Sequence, residues 1–138
     1  MCFHLSNTKK KSETLEQRFD AVFEHPELYE PYYHFNGWDN KNLYIITQDN
    51  PDAIQLASWG LLPTNYTISD RKEFLIKTNT LNATRERLFD SNLYSQFINH
   101  QKCLIIADGL YEPHKRLGVQ GSIPYYFRYK DRSLFAFA

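Results

Sequence analysis

The sequence predicts an α+β fold with a β-rich core, on three observations. At 138 residues the chain has the length of one ordinary domain and can bury a real core. Ten phenylalanines, ten tyrosines and two tryptophans make up 16% of it, and aromatic side chains favour strands. Several short apolar runs bounded by turn residues are interleaved with two or three helical patterns, the mark of a mixed architecture.

Taken in order, residues 9–23 ("KKKSETLEQRFDAVF") read as a helix. Thr14 and Gln17 have capping-box spacing, and Leu15, Phe19, Val22 and Phe23 fall at i, i+4, i+7 and i+8. Two prolines make "EHPELYEPYY" irregular. "NLYIITQ" is a strand closed by the turn "DNPD", and "AIQLASWGLLP" is a second strand that breaks at Gly60 and Pro63. "TLNATRERLFDS" predicts a short helix. "SNLYSQFINHQ" predicts an amphipathic one with Leu93, Phe97 and Ile98 on one face. "KCLIIADGLYEP" reads as two strands about a tight Asp108–Gly109 turn, and "IPYYFRYKDRSLFAFA" as a hairpin turning near residues 130–132. The chain shows no internal repeat, low-complexity tract or linker, so residues 1–138 are expected to form a single domain. It ends on the apolar strand "SLFAFA", which suggests that the C-terminal part of that domain is missing.

Composition narrows the function classes. A hydrophobic fraction of 42% excludes a disordered chain. No apolar run approaches the roughly 18 residues of a membrane span, and the first residues lack a signal-peptide pattern. Two cysteines suit a reduced, cytoplasmic protein; Cys103, in "KCLIIA", reads as an inert core thiol, and a Cys2–Cys103 disulfide is not expected. The histidines and cysteines show no ligand spacing, so no metal and no cofactor are expected. Net charge is zero, but residues 1–70 hold 5 basic and 10 acidic residues, and residues 71–138 hold 11 and 6. That asymmetry permits a basic face for phosphates, although an internally complementary fold would look the same.

The second residue raises a chemical question. Once Met1 is removed, Cys2 carries an α-amine and a thiol on one residue. Their unperturbed pKa values, about 7.7–8.0 and about 8.5, leave a usable deprotonated fraction of each near neutral pH. The plain alternative is that Cys2 merely begins an N-terminal strand. "MCFHL", "SWGLLP" at 58–63, "NTLNATRERLFDS" at 79–91, "KCLIIADGLYEPHK" at 102–115, and "PYYF" with "FAFA" occur in one order along the whole chain. Together they resemble the SRAP (SOS response-associated peptidase) family, whose members crosslink to abasic sites in DNA.

The resemblance implies a curved, barrel-like sheet of mostly antiparallel strands flanked by short helices. It implies a monomer that binds single-stranded DNA, associates with the nucleoid when bound, and forms a thiazolidine between Cys2 and the abasic sugar. Glu112, in "DGLYEP", would be the acid/base residue. Asn82, in "LNATRE", would hold the cysteine end or the sugar; by itself it could equally cap the next helix. Trp59 would lie against the nucleic acid, although a core tryptophan fits as well. His4 stands where the family has an arginine, Thr84 stands where it has another, and Arg85 beside it could substitute. Pro113 replaces the tryptophan after the glutamate, which removes an aromatic wall. Arg87, Lys102, Lys115 and Arg116 are further phosphate candidates, although such a residue is individually more often just a solvated surface charge. The family's catalytic histidine lies downstream of residue 138. Two other classes remain open: a hydrolase with an N-terminal cysteine nucleophile, such as a glutamine amidotransferase, and a non-catalytic module that binds single strands. Glutamine hydrolysis would identify the first, and DNA binding without a covalent product the second.

Overall fold

The computed structural model describes residues 3–39, 41–118 and 120–138. The predicted α+β class is the one found, with strands mostly antiparallel and helices short. The strands are β1 (His4–Asn7), β2 (Val22–Phe23), β3 (Tyr32–Asn36), β4 (Asn42–Thr47), β5 (Ala53–Ser58), β6 (Cys103–Ala107), β7 (Gly109–His114), β8 (Ile123–Phe127) and β9 (Phe135–Phe137). The helices are α1 (Glu13–Phe19), α2 (Arg71–Thr78) and α3 (Arg85–Asp90). They form two sheets, neither closed on itself: β3-β1-β7-β8 and β2-β5-β4-β6-β9. The β2–β5 pair alone is parallel among the described pairings.

Several local expectations change. The first helix stops at Phe19 because Asp20 adopts a left-handed conformation (φ 52°), and Val22 and Phe23 leave it to form β2. The Thr14–Gln17 capping box does not form; Ser12 is the N-cap, with no side-chain bond. The segment with two prolines holds a 3₁₀ turn, and its last residues open the unpredicted strand β3. Residues 92–100 are successive turns rather than a helix, with backbone bonds alternating between i−3 (Phe97 to Tyr94) and i−4 (Ile98 to Tyr94).

The largest change concerns the two predicted local pairs. β6 and β7 lie in different sheets, as do β8 and β9. Asp108 is therefore the crossing point between sheets rather than part of a hairpin turn. It is buried, and its carboxylate accepts bonds from Ser6 Oγ (2.7 Å), Thr8 N (2.9 Å) and Thr8 Oγ1 (2.5 Å). Its own N–H donates to the carbonyl of Ser6 at 2.9 Å. These bonds fix β7 against β1, where Leu5 pairs with Leu110 and Ser6 with Gly109. A Cβ at Gly109 would overlap the Tyr126 ring, so glycine is needed for this close approach.

Leu15, Phe23, Tyr44, Ile46, Ile54, Ile106 and Leu134 make the core under the five-stranded sheet. Leu5, Phe35 and Leu43 make the core where the two sheets meet. Cys103 is a free thiol on β6, and burial raises its pKa, as suits an unreactive position. No helix among the described residues is long and apolar enough to cross a membrane.

Candidate active site

Cys2 lies outside the described residues, but the two residues after it are well defined. Phe3 is buried against Leu75 and Leu81, with Trp59 packed on the same cluster. Its carbonyl accepts the N–H of Gly37 at 2.9 Å, which ties the start of the chain to the end of β3. His4 opens β1, the strand flanked by β3 and β7.

His4 and Glu112 line one cavity of about 420 Å³, together with His34, Tyr111, Pro113 and Pro124. Strand pairing explains how they meet. β7 carries Tyr111, Glu112 and Pro113 beside β1, and β3 carries His34 on the other side of β1. Pro113 and Pro124 face each other across the β7–β8 ladder. Neither has an N–H, so this rung needs no hydrogen bond from either residue. Pro113 thus supplies an apolar wall where the resemblance expected an aromatic one.

The His4 Nδ1 and His34 Nε2 atoms are 3.0 Å apart. The His4 pKa is lowered from its usual value, chiefly by burial and also by His34 and the terminal amine; Glu112 and Asp39 act in the opposite direction. The lowered pKa favours the neutral form of His4.

A second set of residues holds Asn82. The Trp59 indole N–H donates to the carbonyl of Leu81 at 2.8 Å. The Trp59 carbonyl in turn accepts from Arg71 Nη2 at 2.5 Å, and the same nitrogen donates to the carbonyl of Gly37 at 2.9 Å. Arg71 is buried, and burial lowers its pKa. The carbonyl of Asn82 accepts from the Tyr94 hydroxyl at 3.3 Å. Its amide nitrogen is buried with no hydrogen-bond partner among the described residues. Asn82 does not cap the next helix; Thr84 occupies that position, without a side-chain cap bond.

Trp59 is half-buried, with ring contacts to Phe35 and Phe137. It packs as a core residue, while one side borders a larger, mostly apolar cavity of about 640 Å³ that Leu81, Ala83, Tyr94, Phe97 and Ile98 also line. Thr84, Arg85, Arg87, Lys102, Lys115 and Arg116 are exposed. The sequence reading missed two residues of this region. His34 was detectable only by recognising β3 behind its prolines. Arg71 had no signal, since a basic residue at a helix start is ordinarily solvated. Among the described residues, no group of three His, Cys, Asp or Glu side chains is arranged to hold a metal ion.

Phe3 thus meets the residue before Asn82, and His4 shares a cavity with Glu112, so the first strand links the regions holding two of the predicted site residues. The fold is similar to that of a crystallised protein from Bacteroides thetaiotaomicron, with a TM-score of 0.77 and 26% identity over 98% of this chain. It is also similar to one from Bordetella bronchiseptica, with a TM-score of 0.70, 23% identity and the same coverage. The chain spans 57% and 61% of those two proteins' lengths. No functionally curated protein matches the sequence significantly. The family model for SOS response associated peptidase (SRAP) matches residues 1–138. With that match over its whole length, the chain belongs to the SRAP family.

Proposed function

We propose that this protein binds single-stranded DNA and captures abasic sites covalently through Cys2, after removal of Met1. The observation that carries the reading is the convergence on the chain's first residues. Phe3 packs on Leu81, the neighbour of Asn82, while His4 lines the same cavity as Glu112.

The chemistry needs little beyond that placement. The ring-opened abasic sugar carries an aldehyde. The α-amine of Cys2 adds to it, water is lost, and the resulting imine is attacked by the thiol of the same residue. The sulfur bonds to the imine carbon and the thiol proton passes to nitrogen. The product is a five-membered ring of the aldehyde carbon, N, Cα, Cβ and S. Because amine and thiol share one residue, no conformational search is needed to bring them together. Glu112 is the acid/base group for ring opening and imine formation. The Asn82 amide, which can donate and accept, holds the sugar or the cysteine end. The same nucleophile acting on the preceding peptide bond accounts for a peptidase that removes its own Met1.

For the DNA itself, Trp59 is the stacking candidate, worth roughly 1–3 kcal/mol per base. Arg85 is the phosphate contact beside Thr84, and His4 is a weak, mostly neutral one.

The test is to incubate Met1-free protein with single-stranded DNA carrying one abasic site and to look for an adduct that survives denaturant. An adduct is expected from the wild type, none from Cys2→Ala, and slower formation from Glu112→Gln and Asn82→Ala. Equal adduct from Cys2→Ala rules the reading out. Glutamine hydrolysis without an adduct moves the protein to the N-terminal-nucleophile hydrolases.

A further inference from the structure

His34 has no role in the reading above, yet its position is specific. The His4 Nδ1 to His34 Nε2 distance is 3.0 Å, the ring planes differ by 5°, and the centroids are 5.1 Å apart. That centroid separation is close to the N–N distance plus two ring radii. The rings therefore lie edge to edge in nearly parallel planes, joined by an N–H···N bond, rather than face to face. The edge of a Tyr111 contact holds His34 from the β7 side, with centroids 5.3 Å apart at 88°, and the Tyr111 hydroxyl donates to the carbonyl of Tyr33 at 3.0 Å.

Such a bond limits what the pair can carry. At this distance there is room for one hydrogen between the two nitrogens. Both rings cannot be fully protonated without breaking the contact, so the intact pair holds at most one positive charge. The groups that act on His4 are His34 from β3, Glu112 from β7, Asp39 from the loop after β3, and the terminal amine. Both imidazoles and Glu112 line the same cavity.

We propose that His4 and His34 form one proton-sharing unit that works beside Glu112, with His34 as the positioning residue that sets the tautomer and charge of His4. This rests on the Cys2 reading above. Addition of the amine to the aldehyde gives a carbinolamine, whose hydroxyl leaves as water only after gaining a proton. The charged pair gives up the outer N–H of His4 to that hydroxyl. Water departs as the electron pair on nitrogen forms an iminium, which carries the positive charge and gives its N–H proton to solvent to become the imine; the pair is left neutral with its shared hydrogen between the rings. A proton from solvent restores it. His34, which is exposed, contributes by accepting or donating the shared hydrogen and not by touching the sugar.

The experiment follows both imidazoles by NMR titration in the full chain, alongside the pH profile of adduct formation on abasic single-stranded DNA. In the wild type the two rings should titrate together, as a coupled pair does. In His34→Gln the His4 midpoint should move, and the proton-dependent limb of the rate profile should move by the same amount. In His4→Gln that limb should disappear. Independent titration of the two rings, or a rate profile unmoved in His34→Gln while His4 has shifted, overturns the proposal and leaves the Cys2 reading standing. A wild type that forms no adduct at any pH overturns both.

Discussion

The Trp59 indole N–H donates to the carbonyl of Leu81 at 2.8 Å, one residue before Asn82. The same tryptophan's carbonyl is held by the buried Arg71, which also binds the carbonyl of Gly37. One aromatic residue therefore connects the end of β5, the start of α2, the end of β3 and the segment carrying Asn82. Its core contacts explain why a residue expected to face DNA is half-buried; its indole bond fixes the backbone beside Asn82, while one side of the residue borders the larger cavity.

Replacing Trp59 by phenylalanine tests that dual role. The ring packing is largely kept, but the bond to Leu81 is lost and its carbonyl left without that donor. A loss of about 1–2 kcal/mol in stability is expected from denaturant unfolding. Adduct formation should slow more than intact single-strand binding weakens, because Asn82 is displaced while an aromatic face remains.

Asp108→Asn tests the crossing between the sheets. The carboxylate accepts three bonds from Ser6 and Thr8, and the amide can present only one oxygen to them. Bonds to a charged acceptor are worth about 1.5–3 kcal/mol each, so a loss of about 2–4 kcal/mol is expected in chemical denaturation. Hydrogen exchange should rise first in β1 and β7, the strands this residue joins.

Gly109→Ala should be more damaging than its single methyl suggests, since that methyl overlaps the Tyr126 ring. The strand must shift or the tyrosine must leave its place, where its hydroxyl lies 2.8 Å from Ser6 Oγ. Overpacking of this kind typically costs about 1–3 kcal/mol. The double variant with Tyr126→Ser should recover part of the loss, read as a higher melting temperature than that of the single variant.

The lowered His4 pKa has a defined consequence for stability. The folded protein binds a proton at His4 less readily than the unfolded chain, whose histidine titrates near 6.5. The stabilising contribution is therefore complete above that value and is lost as pH falls through the lower folded-state pKa. Between pH 7.5 and 5, wild-type protein should lose more stability than His4→Gln, compared by denaturant midpoints at each pH.

The parts legible in the sequence are those whose pattern is local. β4 follows from its β-branched and aromatic run and β5 from its apolar residues, either side of the "DNPD" turn, and α3 from the polar, helix-favouring "RERLFD". β3 was obscured by the prolines before it. In α2, Phe74 and Leu75 are buried while Ile76 is exposed, so the apolar residues form a run rather than a stripe and no helical period stands out. The sheet assignments were not legible at all. β6 and β7 are separated by one residue and look like a hairpin, yet a buried aspartate bound to β1 sends them into different sheets. Glu112 and Asn82 were identified by motif, not by physics. His34 became visible only once strand pairing set it beside His4.

The most direct measurement is the intact mass of the adduct between Met1-free protein and a single-stranded oligonucleotide with one abasic site. The account predicts a species weighing protein plus DNA less one water, with proteolysis placing the link on the N-terminal cysteine peptide. A crosslink mapped to a lysine, or an adduct of the same yield in Cys2→Ala, contradicts it.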